Sequence, residues 1–115
     1  LIVSRGLGDV YKRQNLGLLD KADIQNESKE SPAYKKYFMH GTSHHLGLDT
    51  HDYGLLENPM EENMVFTVEP GIYLPDEGFG VRIEDDVVIQ AKGDPLNLMQ
   101  DIPIEIEEIE ELMNN

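Results

Sequence analysis

Four histidines, His40, His44, His45 and His51, crowd into FMHGTSHHLGLDTHD, the segment from Phe38 to Asp52. Two glutamates follow at a distance, each at the end of an apolar run. Glu69 lies in TVEPGIY (Thr67 to Tyr73) and Glu84 in VRIEDD (Val81 to Asp86). Imidazole nitrogen and carboxylate oxygen together make a donor set for a divalent metal ion. The chemistry such an ion offers is activation of water for hydrolysis.

Each of these residues also has an ordinary reading. The run from Asn63 to Glu69 alternates, with Met64, Phe66 and Val68 on one side and Val65, Thr67 and Glu69 on the other. A carboxylate buried there must be paired or metal-bound, because an isolated buried charge is costly. A solvent-facing strand residue would look the same. Arg82 and Glu84 are two apart, so an extended chain places both on one face, away from Val81 and Ile83. An exposed ion pair worth little is the plain alternative. His40 and His44 are four apart and would share a helix face. Gly41, Thr42, Ser43 and Gly47 disfavour a helix, so loop or strand is expected and the spacing alone is weak evidence.

The elements around these residues follow from local patterns. Leu16, Leu19, Ala22 and Ile24 recur near helical spacing, and Ser31-Pro32 ends that helix. Ala33 to Phe38 is short and either helical or extended. Pro70-Gly71 turns or bulges the chain after Glu69, and Ile72 to Leu74 continues extended. Pro75 to Gly80 is a turn. Gly80 to Gln90 reads as strand around Glu84-Asp85-Asp86, with Asp85 and Asp86 solvated or turn-forming. Pro95 to Pro103 is irregular, and Ile104 to Asn114 is an amphipathic helix. There is no internal repeat.

Composition excludes several classes. With 115 residues, 39% hydrophobic and no tryptophan, only a modest core is possible. No apolar run approaches the roughly 20 residues that span a bilayer, so no membrane association is expected. The chain has no cysteine, which excludes disulfides, thiolate ligands and a cysteine nucleophile and fits a cytoplasmic protein. The net charge is −14, with eighteen acidic residues after His40 against Arg82 and Lys92 alone. Such a surface repels phosphate backbones, so no nucleic-acid partner is expected.

Taken together and in order, the three motifs from about Asn15 onward resemble the C-terminal half of the catalytic domain of Xaa-Pro aminopeptidases. This is the aminopeptidase P family of pita-bread metallopeptidases. The resemblance implies an α+β, partial pita-bread fold: a curved antiparallel sheet with flanking helices, truncated on its N-terminal side. It implies peptide substrates with an Xaa-Pro N-terminus and two divalent ions, Mn²⁺ by family preference, with Co²⁺ or Zn²⁺ as alternatives. The ions would share a water and lower its pKa. His44, Glu69 and Glu84 take the positions of metal ligands, and Glu69 could also accept the water's proton. His40 and His51 match the histidines that bind substrate and stabilise developing oxyanion charge. Arg82 matches the arginine that orders the hydrogen bonds of the site. Tyr73 is a supporting donor or a core residue, and His45 stands at a packing position. The full-length protein is expected to be a homo-oligomer.

Two departures qualify the resemblance. The family's site uses five ligands, and two upstream aspartates have no counterpart here; Asp9, Asp20 and Asp23 lie outside the matching context. A two-metal site therefore cannot close, and this chain alone is expected to be inactive. Residues 1–14 also read differently from the rest. DVYKRQ (Asp9 to Gln14) resembles the translation of a transposon-end adapter, so 1–14 is expected to be foreign and 15–115 to be the catalytic half-domain. The alternatives are a prolidase, disfavoured because Met39 directly precedes His40, and a non-catalytic pita-bread binding module. The latter predicts eroded ligands, whereas His44, Glu69 and Glu84 are intact. A purely acidic interaction domain leaves the motif order unexplained.

Overall fold

A computed structural model describes residues 13–55 and 57–114, which fall into two compact units. Most of the segment 1–14 expected to be foreign lies outside the described residues. Arg13 is described, and it is buried with its guanidinium 5.3 Å from the Phe38 ring centre.

The first unit contains the chain up to His40 together with Ile72–Val81. Its helix α1, Lys21–Gln25, is shorter than the apolar spacing predicts. Gly17 takes a left-handed backbone (φ 73), so Leu16 to Leu19 form a turn instead of a first helical turn. The helix starts at Asp20, where a reciprocal capping box fixes the boundary. Asp23 N–H donates to Asp20 Oδ1 and Asp20 N–H to Asp23 Oδ2, both at 2.8 Å. Ala33–Lys36 is a single 3₁₀ turn, and Leu19 and Phe38 are buried beside Arg13. Strands β2 (Gly71–Leu74) and β3 (Phe79–Arg82) form a two-stranded sheet closed by Pro75–Gly78, with Gly78 left-handed at φ 74. Tyr73 N–H donates to Tyr37 O at 2.9 Å.

The second unit contains Gly41–Gly71 and Arg82–Asn115. Its centre is β1 (Val65–Val68), paired antiparallel with β4 (Asp85–Val88) in the register Val65↔Val88 to Val68↔Asp85. Short β5 (Leu96–Asn97) extends the sheet from β4, within the segment expected to be irregular. On the other edge of β1 the histidine segment pairs with it. Leu46 N–H donates to Val65 O, Thr67 N–H to His44 O and Glu69 N–H to Thr42 O, at 2.9–3.1 Å. The strand-rich stretch from Gly80 to Gln90 breaks at Ile83-Glu84 and not at Asp85-Asp86, and β3 and β4 belong to different sheets. Asp85 and Asp86 are half-buried strand residues, not turn residues, because they complete the ladder opposite Val68 and Thr67. Phe66 is buried at 5% exposure and Thr67 at 1%.

The closing helix α2 runs from Ile106 to Met113. Its apolar stripe is solvent-facing here, with Ile106 69% and Met113 80% exposed. No helix among the described residues is long and apolar enough to cross a membrane.

Candidate metal centre

The site grows out of β1 because both neighbours of that strand carry a ligand candidate to its C-terminal end. Thr67 pairs with the His44 level on one edge and with Asp86 on the other. One more step of the β1–β4 register sets Glu69 opposite Glu84. Period-two geometry then turns Thr67 and Glu69 to one face.

Two hydrogen bonds orient His44. Its backbone N–H donates to Thr67 Oγ1 at 3.0 Å. Its ring Nδ1 lies 2.9 Å from His45 O, a carbonyl that can only accept, so the proton sits on Nδ1. In the neutral ring this leaves the lone pair on Nε2, the nitrogen that faces Glu69 Oε1 at 3.5 Å. A backbone carbonyl that fixes the ring tautomer in this way is a recurrent feature of ligating histidines.

His44, Glu69 and Glu84 each offer a donor atom, and these atoms lie within 4.8 Å of one another. They are the only such group among the described residues. Arg82 spans the two carboxylates, with Nη2 3.2 Å from Glu84 Oε2 and Nε 4.0 Å from Glu69 Oε2. Two carboxylates against one guanidinium leave surplus negative charge, and the mixed N/O donors suit a borderline-hard divalent ion. The donor set therefore fits a metal.

The remaining histidines separate. His51 meets His44 edge to face, with ring centres 4.5 Å apart. His45 packs on Phe66, ring centres 4.3 Å apart, on the sheet face opposite His44. Gly54 is needed there, since a Cβ would run into the His45 ring. His40 lies in the first unit, where Nε2 is 2.6 Å from Tyr73 Oη and Phe38 touches its ring. Gly80 leaves room for Tyr73, whose Cδ1 would be 2.5 Å from an added Cβ.

Sequence reasoning passed over Thr67. Its place in the alternation, two residues before Glu69, was the available signal. Thr67→Val keeps the shape and strand propensity but leaves the His44 N–H without its acceptor. The expected cost is about 1–3 kcal/mol of stability. Denaturant unfolding of wild type and variant measures it, and an unchanged midpoint would remove Thr67 from the account.

A histidine and two glutamates converging at the end of one antiparallel strand make a donor set of the kind that metallohydrolase centres use. The chain belongs to metallopeptidase family M24, which matches residues 10–91. It is 37% identical to the Xaa-Pro aminopeptidase of Haemophilus influenzae over 92% of this chain and 28% of that protein. It is 44% identical to the Xaa-Pro aminopeptidase of Escherichia coli K12 over 85% of this chain and 24% of that protein. Among solved structures, the aminopeptidase PepP of Pseudomonas aeruginosa superposes with a TM-score of 0.74 at 39% identity, covering 89% of this chain and 26% of that one. The architecture is thus part of the α+β pita-bread fold. The chain spans about a quarter of the length of these relatives.

Proposed function

We propose that this chain carries three of the five metal ligands of an Xaa-Pro aminopeptidase, which releases the N-terminal residue from peptides with proline in second position. The observation that supports this most is the convergence of His44, Glu69 and Glu84 donor atoms within 4.8 Å. When bound, two divalent ions, Mn²⁺ by preference, supply the Lewis acidity that activates water at neutral pH.

The chain's own residues have separate tasks in this reading. His44 presents Nε2 because His45 O holds the Nδ1 proton. Arg82 keeps the Glu69 and Glu84 carboxylates aligned and offsets their mutual repulsion. Glu69, half-buried, is also the group that accepts a proton from attacking water. His51, against His44, and His40, held by Tyr73 Oη, are assigned to substrate and to the developing oxyanion. The intact protein is taken to be a cytoplasmic homo-oligomer with no nucleic-acid or membrane partner. The chain by itself lacks two aspartate ligands and is inactive.

An assay of Xaa-Pro-Xaa and Xaa-Pro peptides tests this. The pure 115-residue chain is expected to release nothing with Mn²⁺ present. The same chain joined to the upstream half-domain of an Xaa-Pro aminopeptidase relative is expected to cleave the longer peptide. Cleavage of dipeptides alone would favour a prolidase, and turnover by the pure chain would contradict the ligand count.

A further inference from the structure

The loop after the histidine edge is closed by one carboxylate. Asp52 Oδ2 accepts the Leu48 N–H at 3.0 Å, and Oδ1 accepts the Tyr53 N–H at 2.8 Å. Gly47 makes the close approach possible, because a Cβ there would collide with the Asp52 carboxylate and stand 2.9 Å from its Cγ. Gly47 N–H donates to Asp49 O at 3.2 Å, which tightens the same turn.

The backbone of Asp52 reaches the metal centre. Its N–H donates to His45 O at 3.0 Å, the same carbonyl that receives the His44 Nδ1 proton at 2.9 Å. His51, the residue before Asp52, holds its ring 4.5 Å from that of His44. One residue therefore governs a carbonyl that sets the His44 tautomer and a loop that sets the His51 ring.

We propose that Asp52 is a positioning residue of the site, acting through His44 and His51 by clamping the Gly47–Tyr53 loop. Its functional weight rests on the peptidase reading, but the clamp itself is a matter of geometry and is tested as such. Both carboxylate oxygens are in use, so asparagine can replace only one acceptor. A hydrogen bond to a charged acceptor is stronger than a neutral one, and an exposed amide has no other source of protection.

Amide exchange and ring-to-ring nuclear Overhauser effects in the labelled 115-residue chain read this out. In wild type, the Leu48 and Tyr53 amides are expected to exchange at least about tenfold more slowly than that of Thr50, although Leu48 is fully exposed. In Asp52→Asn one amide keeps its protection and the other loses it. In Asp52→Ala both lose it and the His44–His51 contact disappears, while the Val65↔Val88 cross-strand contact persists. A general loss of stability would not separate the two amides in the asparagine variant. Should the alanine variant unfold, wild type and Asp52→Asn decide. Wild-type Leu48 and Tyr53 amides as fast as Thr50, or a His44–His51 contact retained in a folded alanine variant, would overturn the proposal. None of these readouts depends on metal or turnover, so a failed peptidase reading would leave them interpretable.

Discussion

Exchange of Glu69 for glutamine is expected to weaken Mn²⁺ binding by at least about a hundredfold with the sheet intact; outer partners of a ligand alone cost ten- to a hundredfold, and a direct ligand costs no less. The substitution is nearly isosteric and removes one negative charge. It acts at the residue shared by both halves of the cluster, since Glu69 faces His44 Nε2 at 3.5 Å and Arg82 Nε at 4.0 Å. Arg82 keeps Glu84 at 3.2 Å, so the local frame has a remaining tie. The backbone of Glu69 still donates to Thr42 O, which holds the histidine edge to β1. Isothermal titration of both proteins with Mn²⁺ checks this. Equal affinities would mean that the ion goes elsewhere on this acidic chain.

The largest effect on stability is expected from Phe66→Ala. Phe66 is the only buried hydrophobic residue of the second unit among the described residues. It packs on His45 within the β1 ladder, on the face opposite the ligands. Truncation of a buried phenylalanine costs about 3–5 kcal/mol. At roughly 0.05–0.15 kcal/mol per residue, 115 residues hold about 6–17 kcal/mol, so a large share of the stability would be lost. The variant is expected to unfold at a much lower denaturant midpoint by circular dichroism, and Phe66→Leu at a midpoint between it and wild type. A folded alanine variant with wild-type midpoint would show that the core lies elsewhere.

How much of this was legible in the sequence depended on how local its cause was. The strand into Glu69 was readable because alternation and the Pro70-Gly71 stop are local. The break between Arg82 and Glu84 was not, because it arises from β3 and β4 pairing in different sheets. Asp85 and Asp86 were misread for the same reason, since acidic residues resemble a turn until the β1 ladder claims them. The start of α1 was overlooked although Asp20 and Asp23 spell a capping box; the apolar spacing drew attention past Gly17. For the centre, His44, Glu69 and Glu84 were singled out by the family resemblance, since residue types and spacing alone also allowed an exposed strand carboxylate and a surface ion pair. The contributions of Thr67, the His45 carbonyl and Asp52 are hydrogen bonds between side chains and backbone, which a sequence does not display.

Paramagnetic broadening by Mn²⁺ tests most directly whether a divalent ion binds at His44, Glu69 and Glu84 on this chain. The surface is acidic enough to attract the ion at many places, above all along Glu105 to Glu111. Trace Mn²⁺ added to the labelled chain is expected to erase signals of His44, Glu69 and Glu84 first, and to spare those of His44 and Glu84 in Glu69→Gln. Broadening that begins in the C-terminal helix, and is indifferent to Glu69→Gln, would contradict the assignment of the centre.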